Sequence, residues 1–340
     1  MIEAVLGKVS GGQDLSRGEM ASALDGIMSG QWSEPQMALF LTALHHKGET
    51  VQEIAGAAAA LRQHMTPIRT RRTGLVDTCG TGGSGANTFN ISTAAAVVTA
   101  AAGVPVAKHG NRGITSRSGS ADVLAELGVN IQASVPVVEA CLDELGVCFC
   151  FAPLLHPSMK HVAAVRRSLG FPTIFNILGP LANPAGASRQ LVGVGRPDLR
   201  NTLAEALVLL GTERALVVHA EDKQDEVTLG GATHVTEATP SGIGEFTWHA
   251  SDFDLPPVRL ADLQVASPSE SAAAIRAVLG GDHGPRRAVV VANAAAALWV
   301  AGKAETPAAC ARLAEEAIDD GRASRLLAQL AERSHGGGPA

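Results

Sequence analysis

Apolar positions recur at helical spacing through the first 66 residues. Leu24, Ile27 and Met28, then Ala38, Leu41 and Leu44, then Ile54 and Leu61 form successive apolar stripes. Ser16-x-x-Glu19 and Thr50-x-x-Glu53 are capping boxes, and Ser33 stands just before Pro35. These signals predict an all-helical segment over residues 1–66, suited either to covering the main core or to joining a second copy. From Leu75 the pattern changes. Short β-prone runs, at 75–78, 104–107, 147–151, 190–194, 215–219 and 288–291, alternate with helical ones. That alternation predicts an α/β domain over 67–333 with a mainly parallel central sheet flanked by helices. Ligands of such sheets bind beyond the carboxyl ends of the strands. The Gly-rich end, 334–340, is expected to be a disordered tail.

The segment after the first strand candidate holds the densest chemistry. It reads DTCGTGGSGANTFNIST from Asp77 to Thr93 and, after an Ala-rich stretch, Lys108-His109-Gly110-Asn111-Arg112. No acid occurs between Asp77 and Asp122, in a chain of net charge −6. Glycines let backbone N–H groups approach an anion, a helix N-terminus adds its dipole, and a basic loop closes the site. Gly80, Gly82 and Gly85 formally match GxGxxG. A dinucleotide fold, however, needs a helix starting inside the motif and an acid ~20 residues on. Here the helix is expected near Ser92, and the acid is missing. A P-loop also fails, because Ala86-Asn87 follows Gly85 where Lys-Ser/Thr should stand. An anion nest remains, against the plainer reading of a tight turn. Asn90, Ser92 and Thr93 are ordinary helix starters as well as anion contacts. Lys108, His109, Asn111, Arg112 and Arg117 would be a solvated loop anywhere else.

Composition narrows the classes. A chain of 340 residues with 46% hydrophobic and 18% charged residues suits two domains with a sizeable core. The acidic balance argues against a nucleic-acid partner. The N-terminus lacks a signal-peptide pattern, and apolar runs such as 93–106 are too short for a bilayer. Five scattered cysteines fit a reducing cytoplasm. Cys148 and Cys150 in VCFCF read as one buried strand face rather than a zinc site.

The ordered motifs Asp77 to Gly83, Asn90 to Thr93 and Lys108 to Arg112, followed by His156 to Arg166, Thr173 to Pro184 and Asp225-Glu226, resemble the anthranilate phosphoribosyltransferases of tryptophan biosynthesis over roughly residues 3–332. The resemblance implies the nucleoside phosphorylase/phosphoribosyltransferase fold class, with helices from about 160–185 joining the N-terminal domain. It implies phosphoribosyl pyrophosphate contacts at Gly80, Thr81, Gly82, Gly83, Ser84, Thr88, Asn90, Ser92, Thr93, Lys108 and Ser120. Anthranilate would meet Gly80, His109, Asn111, His156, Arg166, Gly179 and Pro180. Two magnesium ions per subunit would use Ser92, Asp225 and Glu226, and the protein would be a cytoplasmic homodimer. On chemistry alone, Asp225-Glu226 is an ordinary solvated acid pair, yet it offers the hard oxygens magnesium takes. Arg166 is a natural fork for a carboxylate, while the neighbouring Arg167 faces another way on the same helix.

The expected reaction moves 5-phosphoribosyl from its pyrophosphate to the amine of anthranilate. An aromatic amine is a neutral nucleophile at pH 7, so the protein's task is leaving-group stabilisation and alignment rather than base catalysis. No certain catalytic base is expected; Lys108 and the metal would stabilise pyrophosphate. Ser84 stands where the family usually has Asp, and Thr115-Ser116 where two serines are frequent. Two alternatives stay open. A pyrimidine-nucleoside phosphorylase would carry Lys-His-Ser-Thr near its glycine turn. A nucleic-acid-binding paralogue should be basic and lose Arg166 or the acid pair.

Overall fold

The computed structural model describes residues 2–113 and 117–336. Position 115–116, singled out above, lies outside them. Four helices come first: α1 (Ile2–Ser10), α2 (Arg17–Met28), α3 (Glu34–Lys47) and α4 (Val51–Gln63). The capping boxes at Ser16 and Thr50 form, and Ser33 caps α3 with Pro35 in its first turn. Gly56 is required where α4 crosses α2, since a Cβ there would lie 2.3 Å from the Arg17 carbonyl oxygen.

The chain then alternates: β1 (Val76–Gly80), α5 (Ile91–Ala101), β2 (Val106–Gly110), α6 (Ser120–Glu126), α7 (Val135–Leu145), β3 (Val147–Phe151), α8 (Ala152–Leu155), α9 (Lys160–Leu169), β4 (Arg189–Gly193), α10 (Leu199–Leu209) and β5 (Arg214–Ala220). A hairpin, β6 (Thr233–Thr239) and β7 (Gly242–Trp248), and four helices complete it: α11 (Pro268–Leu279), α12 (Pro285–Val300), α13 (Pro307–Asp319) and α14 (Arg322–Arg333). The sheet order is β3-β2-β1-β4-β5-β6-β7, parallel from β3 to β5 and antiparallel through the hairpin.

Strand periodicity splits the core in two. Leu191, Leu216 and Val218 face a cluster containing α5, α7 and α11–α14. Val192, Ala215 and Val217 face the other cluster, which α1–α4, α9 and α10 build with Phe175, Leu178 and Leu181. Cys148 and Cys150 lie buried with sulfurs 3.8 Å apart. No helix among the described residues is long and apolar enough to cross a membrane.

Three expectations need correction. Residues 288–291 are not a strand; they belong to α12, a helix buried on nearly all sides. A helix apolar all round has no period to read, and its β-branched start imitates a buried strand. The β6–β7 hairpin was missed because its outer strand is largely exposed. Ser334, placed in the tail, is buried, and its hydroxyl accepts from the Asn130 N–H at 2.8 Å; residues 337–340 lie outside the described ones.

Candidate functional site

The strand order reverses direction between β1 and β4, and a sheet of this kind opens a crevice at the carboxyl ends of those two strands. Three backbone segments meet there. Thr81 N–H donates to the Gly193 carbonyl at 2.9 Å. A Cβ on Gly193 would stand 1.7 Å from the Asp225 carbonyl oxygen, and one on Gly195 would stand 2.7 Å from that of Gly82. The turn after β1 uses positive φ at Gly82, Gly83 and Gly85, with open space around each, so these glycines serve conformation rather than clearance. Ser84 is half-buried beside Gly195. Thr88 pairs with Gln264 in an isolated bridge.

Helix α5 starts at this turn. Asn90 occupies the N-cap position without capping through its side chain. Its amide is spent elsewhere: Oδ1 accepts from the hydroxyls of Ser118 (2.7 Å) and Ser271 (2.8 Å), and Nδ2 donates to the Ser118 carbonyl. The Ser92 backbone N–H is near enough to the Glu226 carboxyl to favour its charged form. Ser92 Oγ accepts from Lys108 Nζ at 3.2 Å. Thr93 Oγ1 is buried with no hydrogen-bond partner among the described residues.

Strand β2 delivers Lys108 and His109. Lys108 is buried, and its ammonium also donates to the Thr78 carbonyl. Burial lowers its pKa, while the nearby Asp77, Cys79 and Glu226 oppose that shift. Asp77 is fully buried and accepts from the His109 N–H (3.0 Å) and from Asn183 Nδ2 (2.8 Å). Asn183 also donates to the Ala107 carbonyl, so one carboxylate and one amide tie β1, β2 and the 179–183 turn together. Sequence reading missed this pair; its signal was a lone Asn in an otherwise apolar run. The basic loop is less free than its composition implied. Arg112 pairs with Asp122 at 2.9 Å, and Asp122 also accepts from the Gly113 and Gly119 N–H groups. Asn111 is exposed, and Ser120 Oγ donates to its carbonyl.

His109 and His156 are buried against each other, with their Nε2 atoms 3.2 Å apart. His109 Nδ1 lies 3.0 Å from the Gly179 carbonyl, so that nitrogen carries the proton and Nε2 accepts from His156. Burial pushes His109 down to about 3, with His156 adding to it, and burial takes His156 to about 4. Both are neutral at pH 7. Pro180 follows Gly179 in the same turn and is buried, its carbonyl accepting from Gln190.

Arg166 projects from the last turn of α9, half-buried, while Arg167 is exposed. Its guanidinium lies 5.5 Å from the Phe175 ring centre and 3.5 Å from Asn176 Oδ1. Burial lowers its pKa, and no carboxylate among the described residues compensates. A planar cation held in this way lacks a planar anion.

Asp225 and Glu226 stand beyond the carboxyl end of β5, beside Gly80 and Gly193. Asp225 Oδ2 lies 3.3 Å from where a Gly80 Cβ would be. Burial, and then the Asp225 charge, push Glu226 up to about 8, against the pull of Lys108 and Ser92. Among the described residues no cluster of three His, Cys, Asp or Glu forms. Two carboxylates and the Ser92 hydroxyl fit a hard cation that keeps waters and shares phosphate oxygens, as magnesium does.

The described geometry agrees with comparisons to known proteins. Residues 3–65 match the family model for the glycosyl transferase helical bundle domain, and 72–324 match that for the glycosyl transferase a/b domain. A Moorella thermoacetica anthranilate phosphoribosyltransferase is 50% identical over 327 residues, with 96% of each chain covered. The crystal structure of the Thermus thermophilus enzyme of that name superposes with TM-score 0.92 at 40% identity, covering 97% of this chain and 99% of that one. The Saccharomyces cerevisiae enzyme in complex with phosphoribosyl pyrophosphate and magnesium gives 0.91 at 28% identity, covering 98% of each.

Proposed function

The chain belongs to the anthranilate phosphoribosyltransferase family, and we propose that it transfers the 5-phosphoribosyl group of phosphoribosyl pyrophosphate to the amine of anthranilate, releasing pyrophosphate in the second step of tryptophan biosynthesis from chorismate. The observation that carries this reading is Arg166: a half-buried guanidinium with no acid beside it among the described residues, in a chain that also holds an anion nest. Neither alternative gains support. The glycine turn reads Asp77-Thr-Cys-Gly-Thr, and the chain is acidic and keeps Arg166, Asp225 and Glu226.

In this reading the N–H groups of the Gly80–Ser84 turn, with Thr88, Asn90, Ser92, Thr93 and Ser120, receive the phosphates. Lys108 sits beside the leaving pyrophosphate as a fixed positive charge. Asn90 supports the start of α5: its amide holds Ser118 and Ser271, and its backbone N–H donates to the Ser271 hydroxyl at 2.9 Å, so a contact of its own to substrate would exchange one of these partners. Asp225, Glu226 and Ser92 would hold magnesium, with two ions per subunit. The bound ion supplies charge neutralisation on the pyrophosphate. Arg166 forks the anthranilate carboxylate, while Gly80, Asn111, His156, Gly179 and Pro180 line its pocket. His109 positions rather than deprotonates: its Nδ1–H is tied to Gly179 and its Nε2 lone pair faces His156. Alignment of an already neutral amine with the anomeric carbon then does most of the chemical work.

We further propose a helical domain of residues 1–66 joined by about 160–185, a substrate domain of 67–333, and a cytoplasmic homodimer through the N-terminal helices. Packing of Val162, Val165 and Ile174 among α1–α4 supports the first, and the exposed Leu39 on α3 supports the last. The test is loss of anthranilate fluorescence on adding phosphoribosyl pyrophosphate and magnesium. Loss that stops with a chelator is expected. No loss with a folded sample, or retention on heparin at physiological salt, would refute the assignment.

A further inference from the structure

Helix α12 is apolar from Ala288 to Val300 except at one residue, Asn293, which is fully buried. Burying a lone amide is unfavourable unless its donors and acceptor are used. All are used, and two of the three bonds go to one residue. Asn293 Oδ1 accepts from the Val227 N–H at 2.9 Å, and Nδ2 donates to the Val227 carbonyl at 2.9 Å; Nδ2 also reaches the Val289 carbonyl, one turn back. The side chain thus pairs with both backbone groups of a single residue, as a neighbouring strand would.

Val227 directly follows Asp225 and Glu226. Upstream, the Gln224 carbonyl accepts from the Ala220 N–H at the end of β5. The two acids are therefore the only residues between two backbone anchors. Asp225 has a further restraint, because its carbonyl presses on Gly193. No comparable backbone clamp is seen on Glu226 among the described contacts, so its direction depends on where Val227 is held. Helix α12 also packs along α5, whose first turn carries Ser92.

We propose that Asn293 is a positioning residue for the cation: by fixing Val227 to α12, it sets the Glu226 carboxylate against Ser92 on α5. This rests on the reading of Ser92, Asp225 and Glu226 as magnesium ligands. Groups that orient ligands in this way cost about 10–100-fold in metal affinity when removed. A purely structural tie would lower stability alone.

The experiment titrates Mn2+ with inorganic pyrophosphate into the full chain and follows free Mn2+ by electron paramagnetic resonance. Wild type, Asn293→Ala, the packing control Val291→Ala and the ligand control Glu226→Gln are compared, with melting curves for each. Asn293→Ala should weaken Mn2+ binding by about tenfold or more. Val291→Ala, from the same buried helix, should lower the melting temperature yet bind within about twofold of wild type, as expected of a change that leaves the ligands' supports intact. If Asn293→Ala does not fold, Asn293→Ser, which offers one short hydroxyl in place of the amide, carries the same expectation. Binding by a folded Asn293 variant equal to that of Val291→Ala overturns the proposal. Failure of wild type to bind Mn2+, or an unaffected Glu226→Gln, instead overturns the metal-ligand reading beneath it.

Discussion

Replacing Arg166 should separate function from stability. In the protein alone, its guanidinium gains little: a contact at the edge of hydrogen-bond range to Asn176 and a ring contact 5.5 Å from the Phe175 centre. The ring contact is worth about 0.5–1 kcal/mol at most, and burial opposes the charge. Arg166→Ala should therefore change stability by about 1 kcal/mol or less. Against a carboxylate, the same group would make charge-assisted hydrogen bonds worth about 1.5–3 kcal/mol. Their loss corresponds to roughly 10- to 150-fold in kcat/KM for anthranilate. Arg166→Lys keeps a charge but not the fork, and should recover only part. The assay is anthranilate fluorescence at saturating phosphoribosyl pyrophosphate, paired with urea unfolding. Aniline, which lacks the carboxylate, should be an equally poor substrate for wild type and variant. A fall of less than about threefold in kcat/KM, set against the 10-fold floor from lost charged hydrogen bonds, would refute the fork. So would an equal loss of phosphoribosyl pyrophosphate binding measured without anthranilate.

The buried histidines give a pH prediction. Their folded pKa values, about 3 for His109 and about 4 for His156, lie below the ordinary value of 6.5. Between those limits the unfolded chain binds more protons, so stability should be complete above pH 6.5 and fall as pH drops toward 3. Urea midpoints across that range should move with pH in wild type and less so in His109→Gln; a kcat/KM step near pH 6.5 abolished by that variant would contradict neutral histidines. Ser84→Asp restores an acid beside Gly195, and should change the magnesium and phosphoribosyl pyrophosphate dependence of the rate; unchanged titrations would mean that the serine is neutral. Gly193→Ala places a methyl 1.7 Å from the Asp225 carbonyl, against backbone on a central strand. It should cost about 3 kcal/mol or more, or prevent folding, and a normal urea midpoint would show that the two segments can part.

Local signals were the legible ones. Ser16, Ser33 and Thr50 announced their helices because a cap is written within four residues. The glycine turn was legible because three positive-φ positions need glycine whatever surrounds them. Residues 288–291 were not, since a wholly buried helix and a wholly buried strand share one apolar alphabet. Asn90 and Arg112 show a second limit. Both stand where anion contacts were expected, yet Ser118 and Ser271 engage the first side chain and Asp122 the second. The ties of Asn183 to Asp77 and of Asn293 to Val227 span 106 and 66 positions. Nothing local marks their partners; only an amide isolated in an apolar run hints at a bond made elsewhere.

The charges lining the crevice share a property that orders events on it. Lys108 and Arg166 are cations disfavoured by burial, and Glu226 is an acid disfavoured by burial and by Asp225. Each would be relieved by a different partner: an anionic phosphate group, a carboxylate and a divalent cation. The first and third stand close together, because the Ser92 hydroxyl touches Lys108, and Lys108 and Glu226 each shift the other's pKa. A pyrophosphate arriving alone keeps the Glu226 carboxyl protonated, and a metal arriving alone is opposed by Lys108; arriving together, they let both groups carry their charge. Arg166 lies outside this network, held by Asn176 and Phe175. Binding of the metal-pyrophosphate pair should therefore be strongly cooperative within itself and nearly indifferent to anthranilate.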